Sequence, residues 1–349
     1  MPDRPRPIVV IGAGGIVRDA HLPAYRLAGF DVVGTFDLDV DKARALAVDF
    51  DIPAVFASME LAVASAPEDV VFDVAVPGGA VLEVVEALPD GAAVLIQKPL
   101  GRTLDEARTI SGVCRRKGLT AAVNFQLRYA PPFLALRDLL DSGRLGVVHD
   151  IQMQVTILTP WNLWDFLQRE ERVEILYHSI HYLDAIRALA GDPHGVWART
   201  VRYAGYAQLA DVKSTTILDY GDTLRAVVSA NHCHRGGLIH QESYLRVEGE
   251  KGIVHLTLGL CLDYPRGQPD RLEVCLFEDG HKPAWQTVPV EGTWFPQAFI
   301  GTMASVMRKV EDPTRELPTS VDDAVRTMAL VEAAYTSRAS GATPIPYEE

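Results

Sequence analysis

The sequence predicts an α/β protein in two parts: a doubly wound parallel sheet over residues 1–123, then a mainly antiparallel sheet with helices set into it over residues 124–349. Two observations carry this reading. The first third alternates short apolar runs with segments of helical period, the pattern of repeated βα units. After Asn124 the runs lengthen and alternate apolar with polar residues, which suits strands buried on one face.

Taken in order, IVVI (8–11), DVVGTF (31–36), AVF (54–56), VVFDVAV (70–76), AAVLIQ (92–97) and LTAAVNF (119–125) are the strands of the first sheet. DKARALAVDF, AVLEVVEAL and TLDEARTISGVCRRKG read as helices that cover it, the last opened by a capping box in which Thr103 and Glu106 stand three apart. Beyond the boundary, PPFLALRDLLDSG is a helix, and VVHDIQMQVTIL, TTILDY, LRAVVSANH, YLRVEGEKGIVHLTL and RLEVCLF are strands. There is no low-complexity linker and no repeat of solenoid period.

With 349 residues and 48% hydrophobic content, the chain can bury a sizeable core. Its formal net charge of −13 argues against nucleic acid or an anionic membrane surface as partner. Cys114, Cys233, Cys261 and Cys275 have no metal-site or disulfide spacing and read as reduced thiols, so a cytoplasmic location is expected. Glycines break the one apolar run near the N-terminus, and neither an export signal nor a membrane anchor is inferred.

The chemistry begins at IVVIGAGGIVRDAHLP. Gly12 permits a tight turn after the first strand, and Gly14 lets the backbone approach a pyrophosphate. Gly15 and Ile16 then open a helix whose N-terminal N–H groups favour negative charge. Val17 stands where a third glycine is usual. Asp37 ends the second strand 23 residues after Gly14, where a carboxylate accepts both ribose hydroxyls of a dinucleotide. Leu38 and Asp39, which follow it, offer no arginine to meet a 2′-phosphate, so NAD is expected over NADP, although Lys42 keeps NADP open. The loop VAVPGGAV adds Pro77, Gly78 and Gly79 at another strand's carboxyl end. Lys98, which ends the fifth expected strand on the same edge, is then placed for both cofactor and substrate: its ammonium can stabilise alkoxide character as a hydride leaves carbon.

The motifs GAGGIVRDAHLPAY, FDLDVDKARALA, VAVPGGAVLEVVEAL, QKPLGRTLDEA, VNFQLRYAPPFLALRDLLDSGRLG, HYLDAIRALAG and VEGEKGIV, in that order, resemble the glucose–fructose oxidoreductase and inositol dehydrogenase (Gfo/Idh/MocA) family over the whole chain. The resemblance implies a Rossmann domain, then an α/β domain with an open antiparallel sheet often used for oligomerisation, and reversible oxidation of sugar or polyol hydroxyls by NAD or NADP. The family's glutamate–lysine–proline triplet is here Gln97-Lys98-Pro99. In EILYHSIHYLDAIRALAG, read as one helix, His181 matches the family's histidine, while Tyr177 stands four residues earlier where an aspartate is usual. Tyr177 and His181 should share a face. Because a phenol with pKa of about 10 is a poor base near neutrality, His181 is the expected general base, with Tyr177 an auxiliary donor.

Glu174, His178 and His181 also have a helical spacing that permits a metal, but such residues more often form a hydrogen-bonded face, and no metal is expected. His178 is assigned to substrate. His232 and His234 could share a strand face as further substrate contacts. Trp161, Trp164 and Trp294 could stack on a sugar ring or pack as core. Asn124, Gln126 and Arg128 lie at the crossing between domains, placed to hinge or line the cleft, and Asn124 and Arg128 are assigned to substrate. The reading is an NAD-dependent oxidoreductase acting on a sugar, polyol or sugar-derived hydroxyl, expected as a homodimer or homotetramer. Two other readings stay open: a regulatory protein that binds NAD without turnover, and an NAD-dependent glycosidase.

Overall fold

The computed structural model describes residues 1–264, 266–277 and 280–341. The first sheet is built from β1 (Ile8–Ile11), β2 (Val32–Phe36), β3 (Val71–Val74), β4 (Ala93–Ile96) and β5 (Thr120–Val123), all parallel, in the order β2-β1-β3-β4-β5. Its strands are apolar on both faces because both are covered. Val9, Ile11, Phe72, Val74, Val94, Ile96 and Val123 face the side of α4 (Val81–Ala87) and α5 (Leu104–Arg116), whereas Ile8, Val10, Val71, Ala93, Leu95 and Ala122 face the side of α1 (Leu22–Ala28) and α2 (Val40–Phe50). A short α3 (Met59–Ala64) packs beside β2 and α4.

The expected strand AVF is reduced to a single bridge, Val55 to Thr35, so Lys98 follows the fourth strand and not a fifth. The capping box at α5 is half formed. The Thr103 hydroxyl accepts the Glu106 N–H, but the Glu106 carboxylate accepts the N–H of Arg102 at 2.7 Å and not that of Thr103.

The second part contains α6 (Pro131–Asp141), β6 (Val148–Thr156), α7 (Ile180–Ala190), β7 (Gly195–Val201), β8 (Lys213–Asp219), β9 (Arg225–Asn231), β10 (Glu242–Gly249), β11 (Gly252–Thr257), β12 (Arg271–Leu276), β13 (Gln286–Val288), α8 (Gln297–Glu311) and α9 (Val321–Ala339). Its eight strands form an open sheet in the order β13-β12-β11-β10-β6-β9-β8-β7, antiparallel except at β6 and β9. The run YLRVEGEKGIVHLTL is thus two strands joined as a hairpin, and β7 and β13 were not foreseen. Ile151, Met153 and Val155 of β6 lie beside Ala226, Val228 and Ala230 of β9 on the buried face, and Gln152 and Gln154 point the other way.

The two parts are stitched together. Helix α8 returns to the first sheet, where Phe299, Met303, Val306 and Met307 complete the core that begins at Ile8 and Val10. The sequence boundary at 123 marks the end of β5, but the first domain's core is closed by residues from near the other end of the chain. Among the described residues no helix is long and apolar enough to cross a membrane.

Candidate active site

The carboxyl ends of the parallel strands collect the expected residues on one edge, at the switch point between β1 and β3 where chain connections leave in opposite directions. Gly12 has φ +106°, and a Cβ there would stand 2.4 Å from the carbonyl oxygen of Ala75, so only glycine fits. At Gly14 a Cβ would meet nothing within 4 Å, and at Gly15 only the Asp19 carboxylate at 3.9 Å. Open space over a glycine turn at the start of a helix is a cradle for phosphate. Asp37 is tied to this loop, its two oxygens accepting the N–H groups of Ala13 at 2.6 Å and Asp39 at 2.8 Å. Each oxygen keeps a lone pair for a ribose hydroxyl. Pro77 caps a short turn at Gly78–Ala80 after β3. These residues therefore fit a dinucleotide, with the Gly12–Ile16 turn at the pyrophosphate and Asp37 at the ribose.

Lys98 follows β4 and reaches into the second domain, where its ammonium donates to the backbone carbonyl of Tyr177 at 2.7 Å. Burial lowers its pKa to about 8. Gln97, the residue in place of the usual glutamate, is nearly buried and its Oε1 has no partner among the described residues.

The segment from Glu174 onward is not the uniform α-helix expected. Ile175–Ser179 is a π-turn, with the Ile180 N–H bonded to the Ile175 carbonyl five residues back, and α7 starts only at Ile180. The extra residue in that turn breaks the four-residue alignment, so Tyr177 and His181 have different surroundings. The Tyr177 ring packs against Phe166 at 5.6 Å, and burial followed by the Glu170 carboxylate raises its pKa well above the usual phenol range. Burial, and next the charge of Lys98, hold the His181 pKa well below 6.5. The His181 Nδ1 is buried without a partner among the described residues, and its ring meets Trp294 edge-on at 5.7 Å. His178 is held low by burial, then by His232, Lys98 and His181.

Lys98, His178 and His181 are therefore brought together from the two domains, with both imidazoles neutral at physiological pH. The expectation that His181 titrates near neutrality is corrected: a buried imidazole beside an ammonium resists a second positive charge.

Asn124 and Arg128 have internal roles instead of open ones. The Asn124 amide is fully buried, accepting from the Thr302 hydroxyl at 2.8 Å and lying 3.3 Å from His21 Nε2, whose ring in turn meets Asp73. Arg128 forks onto Asp184 with two bonds of 2.6 Å and reaches Asp323 at 2.7 Å, joining α7 to α9. Polar residues at a domain crossing look alike in sequence whether they face a cleft or tie its walls.

A second group is read in the sequence residue by residue, as His232, Glu174 and Trp161, but not as a cluster, and its partners Thr159 and Asp211 are not read there. His232 lies 4.6 Å from the His178 ring, centroid to centroid; its Nδ1 pairs with the Thr159 hydroxyl at 2.8 Å and its Nε2 faces the buried Glu174 carboxylate at 3.3 Å. Glu174 also accepts from Ser179, and its own N–H donates to Asp211. Trp161 packs edge-on against His178 at 4.9 Å and His232 at 5.6 Å, and Trp164 lies against Tyr264 at 5.6 Å. The bridge between Leu158 and Cys233 sets Thr159 beside His232, a register no local pattern discloses. His234 turns instead to the Ile239 carbonyl. Among the described residues no group of three or more His, Cys, Asp or Glu side chains is placed to hold a metal.

The depressed imidazoles predict an acid-labile fold. Unfolded histidine takes up its proton near pH 6.5 while His178 and His181 do not, so the stability they confer is complete above pH 6.5 and falls below it, by up to about 1.4 kcal/mol per pH unit for each ring. Urea unfolding between pH 7.5 and 5 should show this slope, and His178→Gln/His181→Gln should flatten it. An unchanged slope in the double variant would show that other groups set the acid limit.

Residues 6–125 match the model of an oxidoreductase family with an NAD-binding Rossmann fold, and residues 133–255 match the Gfo/Idh/MocA C-terminal domain. The chain belongs to the Gfo/Idh/MocA oxidoreductase family. Among curated members, a D-apiose dehydrogenase of Paraburkholderia graminis is 28% identical, the alignment covering 96% of this chain and 88% of that protein. Among solved structures, an oxidoreductase from Agrobacterium radiobacter in complex with NAD+, L-tartaric acid and magnesium superposes with a TM-score of 0.81 at 21% identity, covering 97% of this chain and 98% of the other. An aldose–aldose oxidoreductase from Caulobacter crescentus complexed with glycerol gives 0.79 at 17% identity, covering 97% and 99%. Within the Gfo/Idh/MocA framework, the chain is an oxidoreductase whose glycine turn, Asp37 and Lys98 stand on the carboxyl edge of the first sheet.

Proposed function

We propose that the protein oxidises a hydroxyl of a sugar or polyol with NAD in preference to NADP, using Lys98 and His181 on the reacting group. The carrying observation is the meeting of one ammonium, from the end of β4, with neutral imidazoles from the π-turn (His178) and the start of α7 (His181). The D-apiose dehydrogenase and aldose–aldose oxidoreductase relatives support a carbohydrate substrate. The bound nicotinamide would supply the hydride acceptor. Lys98 spends one of its three N–H donors on the Tyr177 carbonyl and keeps two for the substrate oxygen, stabilising it as negative charge develops. His181 Nδ1, which has no partner among the described residues, takes the hydroxyl proton. Tyr177, with its phenol held neutral, lends its backbone carbonyl to orient Lys98. A panel of sugars and polyols with each nicotinamide cofactor, followed by reduced-nicotinamide absorbance, tests this; no reduction with any of them would reject it.

Asp37 supports the NAD preference, since a 2′-phosphate would meet its carboxylate, and Lys42 is paired with Asp39 at 3.3 Å. Calorimetric titration should show NAD binding at least about tenfold tighter than NADP, and Asp37→Ser should narrow the gap. Tighter binding of NADP by the unaltered protein would overturn the role given to Asp37. The reading includes a cytoplasmic homodimer or homotetramer. It is supported by four buried free thiols and by the open sheet, whose paired β7 and β8 expose Trp197 and Ile217.

A further inference from the structure

Behind the Trp161 indole lies a pocket of about 460 Å³ that the chemistry above does not use. The volume falls within the range of about 300–1,000 Å³ typical of small-molecule sites. Its walls combine the rings of Trp161, Tyr206 and Tyr264 with the side chains of Asn162, Gln208 and Gln241. Aromatic faces interleaved with neutral amides suit a sugar ring, which presents apolar C–H faces and a rim of hydroxyls. The pocket also holds unsatisfied groups: the Trp161 indole N–H and the Gln241 amide oxygen are buried without partners among the described residues.

Neither Lys98 nor His181 lines the pocket, but it adjoins His178 and His232, and His178 is close enough to Lys98 and His181 to be held low by their charge. Trp161 and Thr159 form part of its wall, and the same two residues touch His178 and His232 on the other side. A ligand ring that fills this space is not the ring being oxidised but a neighbour of it. Among the described residues the lining contains no lysine or arginine; it includes the carboxylate of Asp165 and that of Asp263, which is already paired with Arg266, so the pocket wall itself offers a phosphate or uronate group no cation.

We propose that this pocket is a second carbohydrate subsite, taking a neutral sugar ring joined to the one oxidised at Lys98 and His181. The physiological substrate is then a neutral glycoside larger than a monosaccharide. This rests on the oxidation proposed above, but binding can be read separately. With the full chain, KM for neutral disaccharides (cellobiose, maltose and their reduced alditols) should be at least tenfold below that for glucose or xylose, and glucose 6-phosphate and glucuronate should be poorer than glucose. Asn162 and Gln208 are exposed side chains, so Asn162→Ala/Gln208→Ala leaves the core intact. It should raise the disaccharide KM about tenfold, the scale of one or two lost hydrogen bonds, and leave the monosaccharide KM and kcat unchanged. Tryptophan fluorescence, with Trp161 as a wall of the site, gives the same comparison without turnover. Disaccharide binding that the double variant weakens, with no NAD reduction, would uphold the subsite and reject the oxidation. NAD reduction by monosaccharides with no disaccharide advantage in KM or binding would uphold the oxidation and overturn the subsite.

Discussion

Lys98→Met should lower kcat by about 10³-fold or more while leaving NAD affinity nearly unchanged. The ammonium sits at the end of β4, is held by the Tyr177 carbonyl, and has a pKa of about 8, so it is charged in the neutral range and discharges just above it. Methionine keeps most of the side chain's volume and deletes only the charge and its donors. The Tyr177 carbonyl then loses a partner, at a cost of about 1–3 kcal/mol, which removal of a buried charge offsets in part. Thermal unfolding within a few degrees of the unaltered protein would show that the fold survives. Isothermal titration would show that NAD affinity is retained. A folded Lys98→Met protein with normal turnover would reduce Lys98 to a domain tie between β4 and the π-turn.

His181→Ala should cost about 10²-fold or more in kcat/KM, the usual contribution of a general base. Because His181 is held well below 6.5 by burial and by Lys98, the acidic limb of the unaltered profile should lie well below the value of a free imidazole. Activity should instead decline on the alkaline side near pH 8, as Lys98 loses its proton. The variant should lose the acidic limb and keep the alkaline one. Tyr177→Phe should cost far less, since Tyr177 meets Lys98 through its backbone carbonyl, which phenylalanine retains. A loss in Tyr177→Phe as large as in His181→Ala would make the phenol hydroxyl an essential relay. An acidic limb that persists in His181→Ala would assign the proton to another group, with the neighbouring His178 the first to test.

The two-part α/β architecture, the glycine turn, Asp37 and Lys98 were legible in the sequence because each is fixed locally. A strand in a covered parallel sheet is apolar along most of its length, a turn with φ +106° under a carbonyl must be glycine, and a residue just past the carboxyl end of such a strand lies on the edge where ligands bind. The ordered motifs disclosed the family for the same reason: each is a short piece of chain whose role depends on its own neighbours. Tertiary structure decided what depends on pairing between distant segments. The π-turn at Ile175–Ser179 separates Tyr177 from His181 although their spacing is that of one helical face. Asn124 and Arg128 are consumed by Thr302 and Asp184, residues far along the chain, and α8 closes a core opened by β1. The His181 pKa is set by burial and by an ammonium 83 residues earlier in the sequence, and Thr159 meets His232 only through sheet register. Hydrophobic period and turn chemistry act over a few residues, whereas burial, hydrogen-bond partners and electrostatic coupling are properties of the folded neighbourhood, which no single stretch of sequence contains.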